Sequence, residues 1–276
     1  MMQWLADGWR HLLDEQRKGN PGGPGSRRGG ERPRRGAGPL CGSRGEFFVT
    51  PATHVVEDAD RDKNQLWMVG GLGKIIELRA QHLLTNRNKE DVAVLRLRPE
   101  VAAELTEKTF LYLHHVNDDE DLRPAVFALY GYPQMWSKDN DRTFYRKGFH
   151  FQTYAYTGET SSFQHYDPKL HLLLEADGNE VVDKAGERLD FSYLDSNVQA
   201  PFPQELKGMS GCCVWKIGDR RRPFEEQSRD NAWLVGIETG VFGGKQCIKA
   251  TRWAVALEVI FKQYPFLRRV FDLARP

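Results

Sequence analysis

Short runs of alternating apolar and polar residues dominate this chain, and each is too brief for a long helix. Gln65-Leu66-Trp67-Met68-Val69-Gly70, Lys74-Ile75-Ile76-Glu77-Leu78 and Val92 to Leu97 predict closely spaced strands. Phe47-Phe48-Val49-Thr50 leads into Thr53-His54-Val55-Val56, and Asp91 opens Asp91-Val92-Ala93-Val94-Leu95-Arg96-Leu97. Both segments read as strand ends. Val126 to Gly131 opens a second half, in which Gly148 to Tyr156, His171 to Glu175 and Leu189 to Tyr193 follow as further strands. Cys212-Cys213-Val214-Trp215 and Trp233-Leu234-Val235-Gly236-Ile237 flank a charged connection. The period changes only at the end, where Trp253, Ala256, Leu257, Ile260, Phe261 and Tyr264 mark one face of a helix over about residues 252–272. That helix is expected to pack on the second half. The pattern is that of an all-β barrel body without internal repeats.

Two stretches stand outside this pattern. Residues 1–18 carry Trp4, Leu5, Trp9, Leu12 and Leu13 at helical spacing, and Asp7, Arg10 and His11 break any signal-peptide core, so an amphipathic helix is expected. Residues 19–46 turn to glycine, proline and arginine, with nothing to bury, and read as disordered. The arginines of residues 26–35 suit single-stranded nucleic acid. No aromatic residue interleaves them, which favours a flexible linker, and a segment foreign to the domain, for instance from a shifted reading frame, is a third reading. Residues 134–147 and 157–168 are polar and read as loops at the rim.

Composition narrows the setting. The chain has 276 residues, enough for a sizeable core, and a net charge of +1, so no global field draws it to nucleic acid or membrane. Four cysteines without Cys-x-x-Cys spacing suggest buried thiols, not a disulfide framework or a zinc site. No run is long and apolar enough for a bilayer, so a cytoplasmic location is the default. The acidic run Val116 to Asp121 lacks the glycine and terminal glutamate of a calcium loop and reads as a solvated linker.

Candidate chemistry lies in Gly208-Met209-Ser210-Gly211, preceded in order by Asp91 and His54. A serine nucleophile needs a neighbouring base, the base needs a carboxylate to fix its tautomer, and backbone N–H donors must face the oxyanion that develops. His54, Asp91 and Ser210 supply the first three in the order His, Asp, Ser. His114 and His115 are adjacent, so their side chains diverge on a strand. His82, His150, His165 and His171 lack an i, i+4 partner and read as non-catalytic.

On Thr53-His54-Val55-Val56, Asp91-Val92-Ala93-Val94, Tyr130-Gly131-Tyr132-Pro133, Gly208-Met209-Ser210-Gly211-Cys212-Cys213-Val214 and Val235-Gly236-Ile237-Glu238-Thr239-Gly240, residues 47–272 resemble the trypsin-like serine proteases of chymotrypsin fold, particularly bacterial members without disulfides. The resemblance implies two antiparallel six-stranded β-barrels, over about residues 47–122 and 123–251, with the site between them. It implies His54 as general base, Asp91 as its orienter and Ser210 as nucleophile, with an oxyanion hole from the N–H groups of Gly208 and Ser210. Ile237-Glu238-Thr239 would pair with substrate as an added strand. Gln204 would lie near the floor of the side-chain pocket and, being neutral, disfavours a strict preference for arginine or lysine, although Glu205 or Glu238 offers another carboxylate. A serine endopeptidase of protein or peptide substrates, needing no metal or organic cofactor, is the function implied; a regulatory protein partner or fused effector is expected separately, because a cytosolic protease that is always on is hazardous. The family places a strand ahead of the histidine segment, and residues 19–46 show no alternating run, which calls the completeness of the first barrel into question. The segment Thr50-Pro51-Ala52-Thr53-His54 is one residue longer than the family's turn. Two other readings stay open: a catalytically impaired peptide-binding or adaptor module, and a nucleic-acid-associated protein acting through residues 26–35.

Overall fold

The structure, a computed structural model, describes residues 39–43, 45–62, 66–69, 75–78, 80–105, 111–112, 122–131, 137–140, 143–146, 149–176, 208–219, 232–242 and 247–274. The expected N-terminal helix, the arginine run, the acidic run of residues 116–121, and Gln204 and Glu205 lie outside these residues. Among the described residues no helix is long and apolar enough to cross a membrane.

The body is two β-sheets, as the alternation predicts. The first has the order β5 (Ala80–Leu84), β6 (Ala93–Leu97), β2 (Glu46–Val49), β1 (Leu40–Ser43), β7 (Leu111–Tyr112), antiparallel except for the parallel pair β1–β7. Among the described residues it holds five strands. A separate hairpin, β3 (Trp67–Val69) with β4 (Ile75–Glu77), packs Met68 and Ile76 onto its core.

The strand ahead of the histidine segment is present after all. β1 lies inside the stretch read as disordered, and Leu40 and Cys41 are buried against β2. Composition hid it, because four residues amid glycine and arginine carry too little pattern to register as a strand.

The second sheet has the order β11 (Phe149–Tyr154), β8 (Ala125–Gly131), β13 (Cys213–Asp219), β14 (Trp233–Phe242), β15 (Cys247–Arg252), β12 (His171–Glu175), antiparallel throughout. Its edges meet: Ala155 bridges Leu174, and Tyr156 N–H donates to the Leu173 carbonyl at 2.8 Å. Six strands thus close into a barrel. Phe127 and Leu129, Leu172 and Leu174, Ile248 and Ala250 fill it at the two-residue period of a strand. A small hairpin, β9 (Ser137–Asn140) with β10 (Thr143–Arg146), stands apart from both sheets.

Between the sheets lies a third core. β6 buries both faces: Ala93, Leu95 and Leu97 face the first sheet's interior, whereas Val92 and Val94 join Phe48, Leu234, Ile237 and Trp253. This is why its run is nearly continuously apolar. The C-terminal helix therefore packs on both sheets and not on the second alone. It is also two helices, α3 (Trp253–Gln263) and α4 (Pro265–Ala274), because Pro265 lacks an N–H and holds Tyr264 out of the helical region at φ −126° and ψ 72°. Two shorter helices, α1 (Thr53–Arg61) and α2 (Pro99–Glu104), belong to the first half.

Candidate active site

His54 does not end a strand. Thr53–Arg61 is helix α1, which buries Thr53, Val56 and Ala59 at i, i+3, i+6. Its N-cap, Ala52, offers no side-chain acceptor, so the first-turn N–H groups need acceptors from elsewhere. Asp91 supplies them. Its carbonyl accepts Thr53 N–H at 3.1 Å, and its Oδ1 accepts His54 N–H at 3.0 Å. The other carboxylate oxygen, Oδ2, lies 2.8 Å from Nδ1 of the His54 ring. One carboxylate thus caps the helix and fixes the imidazole, leaving Nε2 as the ring atom able to accept a proton. The Ala52–Val92 bridge and the Ala93 N–H bond to the Pro51 carbonyl, at 2.9 Å, hold the two segments in this register. Asp91 is 4% exposed and His54 is half-buried.

Asp91 adopts φ +50°, a left-handed conformation uncommon outside glycine, asparagine and aspartate. The loop before it is held from both sheets. Asp91 N–H donates to the Asn86 carbonyl at 3.0 Å, and Thr85 exchanges three hydrogen bonds with Val92. From the second barrel, the Thr251 hydroxyl donates to the Glu90 carbonyl, and Nε2 of His171 lies 2.7 Å from the Lys89 carbonyl. Asp167 N–H donates to Nδ1 of His171 at 3.0 Å, so the proton of the neutral ring sits on Nε2 and is given to Lys89. Burial, with Lys249 second, pushes the His171 pKa down, which favours this neutral ring. Sequence reasoning set His171 aside as non-catalytic and missed its positioning contact. Its apolar strand, His171 to Glu175, signals burial but not the partner.

Ser210 lies in the turn before β13 and is half-buried. Gly208 and Gly211 flank it at φ +95° each, a conformation that a side chain would strain. Met209 is fully buried and plugs into the second barrel against Gly131, where a Cβ would come 3.0 Å from its Cε. That gives Gly131 a physical role that the motif around it did not reveal. Among the described residues the N–H groups of Gly208 and Ser210 meet no backbone acceptor, whereas those of Gly211 and Cys212 donate to the Glu238 and Met209 carbonyls at 2.8 Å each.

Ile237, Glu238 and Thr239, expected to pair with substrate, lie within β14. Ile237 pairs with Cys213 on one side and Thr251 on the other. Glu238 pairs with Ala250, accepts from Gly211 N–H, and donates to the Cys212 carbonyl at 2.9 Å. Neither has a free backbone edge for an added strand. Among the described residues, the edge of β14 from Thr239 onward, past the exposed Val241, pairs with no strand on the β13 side.

Glu238 is buried. The residue is 1% exposed, and its Oε2 is without a hydrogen-bond partner. Burial first and the Asp91 charge second raise its pKa to about 8, against the lowering effects of Lys249, Ser210 and Gly240. Lys249, also buried, is pushed down by desolvation. The thiols of Cys41, Cys212, Cys213 and Cys247 are all raised chiefly by burial, as inert interior thiols are. Among the described residues no group of three His, Cys, Asp or Glu side chains is placed to hold a metal ion.

No family model matches the chain, and no curated protein does. Among solved structures it is similar to Deg5 (13% identity, 80% of each chain covered, TM-score 0.40) and to Glu endopeptidase in complex with MPD (9% identity, 81% of this chain and 88% of that chain, TM-score 0.44). It is also similar to the MamO protease domain from Magnetospirillum magneticum (15% identity, 82% and 84%, TM-score 0.35). At identities this low the roles of individual residues come from the geometry of this chain itself.

Proposed function

We propose that the chain is a serine endopeptidase acting on protein or peptide substrates. The observation that carries this reading is the two-point hold of Asp91 on His54, with Oδ1 on the backbone and Oδ2 on Nδ1, which leaves Nε2 of the ring as proton acceptor. On this reading Ser210 Oγ attacks the scissile carbonyl and gives its proton to His54 Nε2, and the N–H groups of Gly208 and Ser210 receive the oxyanion. His54 then protonates the leaving amine, and water, deprotonated by the same ring, releases the acyl group from Ser210. Substrate backbone pairs with β14 from Thr239 onward, where no described strand pairs on the β13 side. Labelling by a fluorophosphonate probe tests the reading. Labelling of the intact chain that Ser210→Ala and His54→Ala both abolish supports it, and a folded chain that never labels sinks it.

A second reading, a peptide-binding module with impaired catalysis, is favoured by one observation. Among the described residues no hydrogen bond joins the Ser210 hydroxyl to His54. Peptide binding that persists in a chain inert to the probe would support this second reading.

A further inference from the structure

Two consecutive carbonyls of the first half are held by side chains of the second barrel. The turn before Asp91 satisfies its own donors, since the N–H groups of Lys89, Glu90 and Asp91 all meet the Asn86 carbonyl at 3.0 Å. The Lys89 and Glu90 carbonyls look outside the turn, and a carbonyl taken out of water needs a donor. Nε2 of His171 lies 2.7 Å from the first, and the Thr251 hydroxyl donates to the second. Asp167 N–H on Nδ1 of His171, at 3.0 Å, keeps the ring proton on the side facing Lys89. Both donor residues are buried, at 1% and 0% exposure.

Strand register makes the two donors a unit. His171 stands opposite Thr251 in the β12–β15 pair, Thr251 opposite Ile237 in the β15–β14 pair, and Ile237 opposite Cys213 at the start of β13. Facing residues share one side of a sheet, with Cβ atoms about 4.5–5.5 Å apart, so His171 and Thr251 form a two-pronged donor. The row they begin crosses the barrel and ends directly after the turn that carries Ser210. Asp91 needs such a hold, because its φ of +50° is a strained conformation that persists only where the surroundings fix it. Arg87 also ties the loop to α1 through Asp58 at 3.1 Å, but that pair is exposed, where ion pairs contribute little.

We propose that His171 and Thr251 are positioning residues for Asp91, through which the barrel that carries Ser210 sets the place of the carboxylate that holds His54. The effect on rate rests on the endopeptidase reading, and the effect on the Asp91–His54 hydrogen bond does not. Removing either donor strands a buried carbonyl, and the loop relieves it by turning that peptide toward water. Asp91 follows directly in the chain, and its carboxylate makes both bonds to His54, so a backbone shift there loosens both. A misplacement of about 1 Å costs on the order of a hundredfold in rate.

Two measurements on the full chain test this in three variants. His171→Leu removes the ring donor, His171→Gln offers an amide N–H in nearly the same place, and Thr251→Val removes one hydroxyl and keeps the branched shape. The first measurement needs no activity. The proton between Nδ1 of His54 and Oδ2 of Asp91 gives a far-downfield proton NMR signal, identified by its loss in His54→Ala. His171→Leu and Thr251→Val should shift or broaden it, and His171→Gln should return it to the wild-type position. A signal that stays in place in His171→Leu, or in Thr251→Val where His171→Leu does not fold, overturns the proposal. So does a signal that moves equally in His171→Leu and His171→Gln, or a wild-type chain that shows none.

The second measurement is the rate of fluorophosphonate labelling. It should fall at least about tenfold in His171→Leu and in Thr251→Val, and His171→Gln should recover most of it. Unchanged labelling in a variant whose signal has moved overturns the proposal. A signal that moves in a chain that never labels supports the proposal and sinks the endopeptidase reading alone.

Discussion

Glu238 makes a measurable claim on stability, independent of any reaction. Its folded pKa of about 8 lies above the ordinary 4.5, so the folded chain holds a proton there that the unfolded chain has already released. The native state therefore binds more protons across this interval, and stability falls as pH rises from 4.5 towards 8. At about 1.4 kcal/mol per pH unit the full gap corresponds to about 5 kcal/mol, an upper bound because relaxation and water entry soften burial. Glu238→Gln fills the same volume and has no such dependence. Urea unfolding at pH 5, 6.5 and 8.5 on both proteins isolates the effect, since every other titrating group is shared. The advantage of wild type over Gln should shrink by about 2–5 kcal/mol from the lowest pH to the highest. A difference constant to within about 0.5 kcal/mol would refute the burial argument, because a carboxyl that ionises freely in the fold has no such slope.

Other parts of the structure carry their own expectations. Asp91→Asn keeps an oxygen for His54 N–H but turns an amide N–H toward Nδ1, favouring the ring tautomer with its proton on Nε2. Probe labelling should fall by a factor on the order of 10⁴, the usual cost of replacing the carboxylate that orients a catalytic histidine by an amide, and a fall under tenfold would remove Asp91 from its assigned role. His171 has a lowered pKa, so its neutral-ring contribution is present above 6.5 and is lost as pH falls below 6.5 towards the folded value. Unfolding at pH 7.5 and 5 should show His171→Gln losing less stability on acidification than wild type, and equal losses would contradict the clamp on Lys89. Ile260→Ala, at a fully buried position in the core between the two sheets, should cost about 2–5 kcal/mol in urea unfolding, and a cost below about 1 kcal/mol would mean that this core is loosely packed.

Much of the site was legible because its residue types and order are properties of the chain. The run from Asp91 to Leu97 read as a strand since both its faces are apolar, and it is β6. Thr53-His54-Val55-Val56 read as strand because β-branched residues favour one, yet it is helical. Its first-turn N–H groups find their acceptors in Asp91, 37 residues away, which a local propensity does not contain. The short strand Leu40–Ser43 escaped for the opposite reason: paired with β2 and β7 it is ordered by partners that its own composition does not announce.

The chain by itself determined which groups are available, a histidine, an aspartate and a serine in one order on an alternating β framework, because side-chain chemistry and two-residue periodicity are local. Tertiary structure alone decided what each group touches. Asp91 reaches His54 through the Ala52–Val92 bridge, His171 and Thr251 reach its loop from the other barrel, and the register of β13 on β14 buries Glu238 beside the turn that carries Ser210. Strand register and burial arise from pairing between distant segments, and a one-residue change of register would send every one of those side chains to the opposite face.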